Sequence, residues 1–309
     1  MIDGFTILDM LADDRAALSG PPDKGRRRRT RAAVQQLDRQ IYEILAADHP
    51  QSVRHVFYRL TDPRLLEPVE KSERGYEHVQ HRLKQLRLAG TIAYSWITDS
   101  TRRGYFVPTY NGAADFIRRV KAFYRADLWA QADSYVEVWA ESRSIAGVIQ
   151  AECQTLAVSL YPSGGFTSMT LAYEAGTYIK DVIDDTGKVP VILYVGDFDP
   201  AGVLIDRDIK AKLESHIGIE VDFRRLAINE DQIAAYDLPT KPRKETERRA
   251  QHIKGTVEAE AMPAHILRDL LRHEVEALLP AGALAAAKVA EESEAKLLDW
   301  LADEAGDPA

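Results

Sequence analysis

The residues best suited to chemistry are three carboxylates that follow apolar segments of the chain. Asp197 and Asp199 lie in the run GDFDPAG directly after VPVILYV, and Glu141 directly follows SYVEVWA. The carboxyl ends of parallel strands meet at one edge of a sheet, so we expect these acids to converge there. Neighbouring carboxylates repel one another unless a cation lies between them, and all-oxygen ligation favours Mg²⁺. The spacing predicts a Mg²⁺ site of Glu141, Asp197 and Asp199, with Glu141 also taking part in catalysis.

Simpler or different explanations compete at each of these positions. An Asp after a strand often only caps the next helix or lies in a solvated loop. Glu137 lies on the same side of the first strand as Glu141 and is easily confused with it; we prefer Glu141 because a ligand belongs at the strand end. The D-x-D pattern also occurs in haloacid dehalogenase-type phosphatases, but the Pro200 and Gly202 context differs from their usual motif.

A tyrosine forms the second candidate for chemistry. In the segment SVRHVFYRL, apolar residues recur at helical spacing, and Tyr58 lies beside this stripe one turn after Arg54. One helical turn away, the guanidinium of Arg54 would stabilise the phenolate form of Tyr58. It would also position a phosphate for attack by this phenol, provided that the phenol is accessible. The competing explanation is that Tyr58 is a core residue at the boundary of the helix packing.

The elements that must position these residues divide into a helical part and an α/β part. Three helices are predicted from Thr30, over 52–60 and over 75–90, followed by two short β-like runs around a polar turn, which is the element order of a winged helix. From 134 onward strands alternate with helices, which predicts a mostly parallel sheet. We therefore predict the following division: an N-terminal extension 1–29, a winged-helix DNA-binding domain 30–125, an α/β metal-binding domain 126–230, and a basic segment with a helical C-terminal region 231–309.

These motifs resemble a known family of DNA enzymes. A Glu after one strand and D-x-D-P-x-G after another, two crossovers later, resembles the Toprim domain of topoisomerases, primases and related nucleases. A winged helix with R-x-x-[FY]-Y before such a domain resembles the A subunit of type IIB topoisomerases, such as topoisomerase VI. The resemblance implies that Tyr58 is the nucleophile, that Arg54 assists it, and that Glu141, Asp197 and Asp199 hold Mg²⁺ for strand cleavage.

The resemblance also implies partners, and it has departures. It implies double-stranded DNA as substrate, a homodimer in which Tyr58 of one subunit faces the acids of the other, and an ATPase as a separate polypeptide. Where that family usually has Lys directly after the Toprim glutamate, this chain has Ser142, followed by Arg143. The loop PSGGFTS resembles the family's glycine turn, in which the backbone N–H of Gly165 would meet a phosphate; a plain strand-to-helix turn is the alternative.

Composition is compatible with a DNA-binding protein without indicating one. The net charge is -8, yet basic residues cluster, notably at 25–31, 82–87, 101–103, 118–125 and 241–249. We select Arg54, Arg102 and Arg103 as backbone contacts to DNA; ordinary solvated helix faces are the alternative. The longest apolar run is far below the roughly 18 residues of a membrane span. The acidic N-terminus is unlike a signal peptide, so we expect a cytoplasmic protein.

The sequence thus predicts an α/β protein that cleaves DNA with Mg²⁺. In the leading hypothesis Tyr58 attacks the phosphodiester and forms a 5′-phosphotyrosyl link. A hydrolytic Toprim nuclease, in which water attacks and Tyr58 only packs, is the nearest alternative. A non-catalytic DNA-binding regulator is the alternative from a different class.

Overall fold

The computed structural model describes residues 29–98, 107–242, 253 and 255–306. The α-helices are α1 (Arg31–Ala47), α2 (Val53–Leu60), α3 (Glu73–Leu88), α4 (Ala113–Val120), α5 (Arg143–Thr155), α6 (Met169–Thr186), α7 (Gly202–Ile217), α8 (Glu230–Ala235), α9 (Ala264–Glu276) and α10 (Ala283–Glu304). The strands are β1 (Ser134–Ala140), β2 (Ser159–Pro162), β3 (Val189–Val195), β4 (Asp222–Ala227), β5 (Lys241–Pro242) and β6 (Gly255–Thr256). Short 3₁₀ helices cover Tyr94–Trp96, Lys121–Phe123 and Ala259–Ala261.

A parallel sheet of the order β2-β1-β3-β4 forms the centre of the fold. The prediction of an α/β protein with a mostly parallel sheet is confirmed. The two segments SYVEVWA and VPVILYV, on which this prediction rests, form the central strands β1 and β3. Their apolar character fits strands that other elements cover on both faces. Ala140 pairs with Val195 at the end of the register, so Glu141 and Gly196 leave the sheet at the same edge.

Alternate residues of β1 enter two different cores. Val136, Val138 and Ala140 belong to a large core that also contains apolar residues of α1, α2, α3, α5 and α9. Trp139 belongs to a smaller core under α6 and α7. This alternation follows from the two-residue period of a strand. The N-terminal helices therefore share one continuous hydrophobic core with the sheet, and this fixes the helix carrying Tyr58 relative to the sheet edge.

The predicted N-terminal helices are present and have regular starts. The Thr30, Ser52 and Ser72 side chains each accept a hydrogen bond from a backbone N–H in the first turn of α1, α2 and α3. Such capping stabilises a helix start by about 1 kcal/mol. After α3 the chain turns at Gly90, whose φ of 71° favours glycine.

The first β-like run predicted after α3 is wrong. Tyr94–Trp96 is a 3₁₀ helix, and Ile97 forms only an isolated bridge with Gln51. The aromatic residues pack on neighbouring elements instead of pairing in a hairpin, since Tyr94 lies under the Arg87 guanidinium at 4.6 Å and Trp96 stacks on His49. Most of the second half of the predicted hairpin, at 99–106, lies outside the described residues. The winged helix stays a prediction.

The C-terminal region folds back onto the sheet. Val257 and Phe198 exchange backbone hydrogen bonds of 2.9 Å in both directions, next to the small β5–β6 pair. In the predicted helical C-terminal region, the helix α9 begins at Ala264, because Pro263 stands directly before it and Ala259–Ala261 forms a 3₁₀ turn. None of the helices that the structure describes combines the length and the apolar character needed to span a bilayer.

Glu137 lies inside the fold, away from the strand end. Its exposed fraction is 0%, and it accepts hydrogen bonds of 2.9 Å from the Tyr135 hydroxyl and the Trp139 indole. Burial raises the pKa of Glu137 to about 7, because the charged form is poorly solvated there. The carboxyl group is therefore held by aromatic donors as a structural element of the smaller core.

We predict that Glu137 makes the stability of the fold depend on pH. Its pKa of about 7 in the folded chain exceeds the ordinary value of 4.5. Its stabilising contribution is therefore complete below about pH 4.5 and is lost as the pH rises towards 7, since the unfolded chain gives up the proton first. Against Glu137→Gln, the free energy of unfolding of the wild type should fall by roughly 1.4 kcal/mol per pH unit in this window.

Urea unfolding at several pH values measures this difference. The Gln amide can still accept from Trp139 and donate to the Tyr135 oxygen, so the variant keeps the packing. Glu292→Gln, at an exposed position of α10, is the matched control. A pH-independent difference between wild type and Glu137→Gln would contradict the prediction.

Candidate functional site

Glu141 and Asp197 meet at the sheet edge, as the sequence predicts. The Oε2 atom of Glu141 accepts a hydrogen bond of 2.8 Å from the backbone N–H of Asp197 and one of 3.2 Å from the Tyr194 hydroxyl. Both acids line a cleft of about 890 Å³, which we call the acid cleft. Arg54, Arg143 and Gly165 line the same cleft.

Two glycines of GDFDPAG make this close approach sterically feasible. A Cβ on Gly196 would lie 2.6 Å from Glu141 Oε2, and a Cβ on Gly202 would lie 2.1 Å from the carbonyl oxygen of Asp197. Real Cβ atoms do not come so near, so any other residue would displace the loop. The glycines thus set how close the acids can come.

The acids of the cleft carry a cost in free energy. Burial, followed by the charge of Glu141, raises the pKa of Asp197 to about 8, although its Oδ1 accepts a 2.8 Å hydrogen bond from the N–H of Ala259. Burial also raises the pKa of Glu141, and the charge of Asp199 adds to it. Like charges in a poorly solvated site disfavour joint ionisation, and a cation would relieve this.

Asp199 has a different environment from the other two acids. Its Oδ1 accepts hydrogen bonds from the N–H groups of Ala201 (2.8 Å) and Gly202 (2.6 Å), at the start of α7. This oxygen therefore acts as a helix cap, the alternative weighed for Asp residues after a strand. Asp199 is not among the residues that line the acid cleft.

Arg225 on β4 holds the loop that carries these acids. Its guanidinium donates to the carbonyl oxygens of Gly196 (3.3 Å), Asp197 (3.2 Å) and Gly202 (2.7 Å). Its Nε donates to Asp206 at 2.9 Å, and the side chain is only 13% exposed. A planar guanidinium with several fixed donors suits such a set of carbonyls, which a lysine cannot match.

Two further glutamates join the site from the C-terminal region. The pairing of Val257 with Phe198 brings the backbone N–H of Ala259 to the carboxyl group of Asp197. Glu258 and Glu260 are the neighbours of Ala259 in the sequence and therefore also come close to the site. Glu260 is 7% exposed, lines the acid cleft and accepts a 3.4 Å hydrogen bond from Ser142. Burial raises its pKa. Sequence reasoning missed both residues; the only signal is the alternation E-A-E-A before the proline.

The donor set fits a hard cation in chemistry, while its geometry is not preformed. Glu141, Asp197 and Asp199 supply carboxylate oxygens, which Mg²⁺ prefers. Within the residues that the structure describes, no group of three or more His, Cys, Asp or Glu side chains is arranged to hold a metal ion. Joint ligation would therefore require these side chains to move, and the capping bonds of Asp199 would have to rearrange or be shared.

Tyr58 is not the accessible phenol expected from the sequence. Its exposed fraction is 5%, and its hydroxyl interacts with the carboxylate of Glu258. Burial and then the negative charge of Glu258 raise the pKa of Tyr58, so the phenolate is disfavoured. Arg54, expected to stabilise that phenolate, donates at 2.7 Å to Glu258 instead.

Tyr58 and the acids lie in adjoining cavities. Tyr58 lines a pocket of about 420 Å³, which we call the tyrosine pocket, together with Lys71, Lys241 and Glu258. Arg54 and Tyr76 line both this pocket and the acid cleft. The structure thus connects the predicted nucleophile and the predicted metal ligands through Arg54, and it does not bring them into one cavity of a single chain.

The remaining predicted DNA contacts have mixed outcomes. Gly164 and Gly165 have φ values of 70° and 90°, which glycine adopts readily, and both line the acid cleft. The N–H of Gly165 donates to the carbonyl oxygen of Glu141 at 3.1 Å, so it is not directed at a ligand in this arrangement. Arg102 and Arg103 lie outside the described residues. Ser142, the departure from the family pattern, caps α5 by accepting from the N–H of Ile145.

Comparisons with protein-family models, with curated proteins and with solved structures found no match to this chain.

We predict that Arg225→Lys loosens the loop between β3 and α7. A lysine cannot satisfy the same carbonyls and Asp206 together, and unsatisfied buried groups destabilise, so unfolding in urea should show a loss of about 2 kcal/mol. Amide hydrogen exchange at residues 196–202 should become faster than in the rest of the sheet. Arg224→Lys is the matched control, since Arg224 is 40% exposed and pairs with Asp222 on the surface; its effect should stay within about 1 kcal/mol. Equal effects of both changes would contradict the role given to Arg225.

Proposed function

We propose that this protein cleaves DNA phosphodiesters in a Mg²⁺-dependent reaction at the acid cleft. The observation that carries the proposal is the meeting of Glu141 and Asp197 at the carboxyl edge of a parallel sheet. Sites of α/β proteins form at this edge. Burial raises the pKa values of Asp197 and Glu141, and such perturbed carboxyl groups in a cleft are typical of functional sites.

Glu141, Asp197 and Asp199 would hold the metal, and Mg²⁺ would stabilise the charge that develops on the phosphate and the leaving oxygen. The chain itself supplies the placement of these ligands. Arg225 and the two glycines hold the loop at a fixed distance from Glu141. Arg54, on the wall shared by both cavities, would orient the phosphodiester through paired N–H donors.

Tyr58 is the proposed nucleophile, as in the topoisomerase VI A subunits that the motifs resemble. Its attack would form a bond from the phenol oxygen to phosphorus and release the 3′-oxygen, leaving a 5′-phosphotyrosyl link. One observation supports this assignment: Tyr58 lines a pocket together with Arg54, the residue proposed to orient the phosphodiester. The burial of Tyr58 requires the pocket to open when DNA binds.

Hydrolysis by water is the second candidate, and a specific observation favours it. Tyr58 is 5% exposed and its pKa is raised by burial, as for a residue that only packs. In that case the acid cleft alone would carry the reaction. The two routes differ in one product, since a covalent protein–DNA adduct forms only when Tyr58 attacks.

We predict that Asp197→Ala and Glu141→Ala each lower cleavage by about 100-fold or more, because the transition-state charge loses its stabilisation. The assay incubates the protein with supercoiled DNA and Mg²⁺, stops it with denaturant, and compares nicked and linear products before and after protease. DNA retention on filters should remain. Asp184→Ala, an exposed acid paired with Lys180 on α6, is the control. Full cleavage by both cleft variants would overturn the assignment of the site.

Tyr58→Phe separates the two routes in the same assay. Under the leading proposal it removes the adducts and the cleavage, since no phenol oxygen is left to attack. Under the hydrolytic candidate it leaves the number of nicks close to that of the wild type. Adducts that persist in Tyr58→Phe would exclude Tyr58 as the nucleophile.

We also propose that two copies share each site, with Tyr58 of one subunit facing the acids of the other. A duplex cut in both strands needs two centres related by the symmetry of the DNA, and an isologous dimer provides them. A separate ATPase subunit is part of the same proposal.

We predict that mixing Tyr58→Phe chains with Asp197→Ala chains restores nicking, although each variant alone is inactive. One competent site per mixed dimer is then left. The measurement is nicked plasmid after subunit exchange, with each variant alone as the control. A mixture that stays inactive although exchange is verified would contradict the shared site.

A further inference from the structure

The tyrosine pocket gathers positive charge around a single carboxylate. Glu258 Oε2 accepts from Arg54 at 2.7 Å, and Glu258 Oε1 accepts from the ammonium group of Lys241 at 2.5 Å. Lys241 and Lys71 also lie 5.7 and 5.4 Å from the centre of the Tyr58 ring. The carboxylate is thus held between two cations and the tyrosine hydroxyl.

Lys71 adds a third cation, which forms no direct ion pair with this carboxylate. Its ammonium group donates to the carbonyl oxygens of Pro239 (3.0 Å) and Thr240 (3.3 Å), and no carboxylate of the described residues forms an ion pair with it. Burial and the charge of Lys241 lower the pKa of Lys71, although the charge of Glu258 opposes this shift. Two lysines that repel each other in a partly buried pocket are a feature of sites for anions.

The pocket contains one other acid, and it stands apart from this arrangement. Glu73 lines the pocket in the first turn of α3, where a negative charge complements the helix N-terminus. It forms no ion pair with Arg54, Lys71 or Lys241 among the described contacts. Three cations therefore face Glu258 and Glu73, and the balance of charge in the pocket is positive.

We propose that the tyrosine pocket binds a phosphate of the DNA backbone, and that Glu258 occupies the place of this phosphate in the free protein. A carboxylate and a phosphodiester both present anionic oxygens to a guanidinium and an ammonium group. On binding, Arg54, Lys71 and Lys241 contact the phosphate and Glu258 turns away. This inference rests on DNA as the ligand in the proposed function.

The ion pairs of Glu258 are weak enough for such an exchange. The side chains of Arg54 and Lys241 are 44% and 45% exposed, and that of Glu258 is 23% exposed. Pairs at such positions stabilise a protein by about 1 kcal/mol or less. The backbone of this segment is held independently by the pairing of Val257 with Phe198, so the Glu258 side chain can leave the cations while its backbone stays in place.

The test measures binding of a short fluorescein-labelled DNA duplex by the full chain in EDTA, so that cleavage plays no part. Lys71→Met and Lys241→Met should each weaken binding and lower the slope of log K against log salt by about 0.9. Glu258→Gln should tighten binding at least about fivefold, which corresponds to about 1 kcal/mol, because DNA no longer has to break the ion pairs of Glu258 with Arg54 and Lys241. Glu73→Gln removes the same charge from the same pocket without freeing a cation, and its effect should be smaller.

Each outcome decides the proposal. If Glu258→Gln and Glu73→Gln tighten binding equally, only the general charge matters and the exchange is refuted. If both lysine variants keep the affinity and salt slope of the wild type, the pocket does not contact DNA. A further measurement is the rise in melting temperature that inorganic phosphate causes at constant ionic strength. If the lysine variants differ from the wild type only in this rise and bind DNA equally well, the site takes free phosphate and the proposal fails. Absence of DNA binding by the wild type would instead refute the proposed function itself. Should Lys71→Met not fold, Lys241→Met and Glu258→Gln still decide the question.

Discussion

The site depends on how Arg225 holds the loop between β3 and α7. This loop leaves the sheet with two acids separated by one residue, and its carbonyl groups need hydrogen-bond donors. The guanidinium binds the carbonyls of Gly196, Asp197 and Gly202 from one side and pairs with Asp206. With the carbonyls held on one side, the N–H of Asp197 is directed at Glu141. The two acids thus meet because a cation outside the cleft holds the backbone between them.

The parts of the fold that could be predicted are those set by local patterns. The bounds of β1 and β3 match the segments read from the sequence, because a strand covered on both faces forms a largely apolar run. The starts of α1 and α2 agree with the prediction, whereas α3 begins at Glu73, two residues before the predicted start, because Ser72 caps it. The placement of Glu141 and Asp197 at the same edge of the sheet follows from strand polarity. None of these inferences requires knowledge of how distant segments pack.

What could not be predicted depends on contacts between distant parts of the chain. The run around Tyr94 was expected to be β-like, but Tyr94 packs on Arg87 and Trp96 stacks on His49. Tyr58 was expected at a surface, yet Glu258 comes from 200 positions later in the chain and covers its hydroxyl. Arg225 and Glu260 carry no local signature, because an arginine in a strand and a glutamate before a helix are ordinary residues until their partners are known.

The contribution of residues 257–260 to the cleft has a consequence for the order of biosynthesis. The ribosome makes the chain from its N-terminus, so β1 to β4 can associate while this segment is still being made. Until it emerges, Asp197 lacks its N–H partner from Ala259, and Glu260 is missing from the cleft wall. A nascent chain with a finished sheet is therefore still an incomplete site. Assembly of the cleft therefore waits for residues 257–260, which follow all four strands of the parallel sheet along the chain.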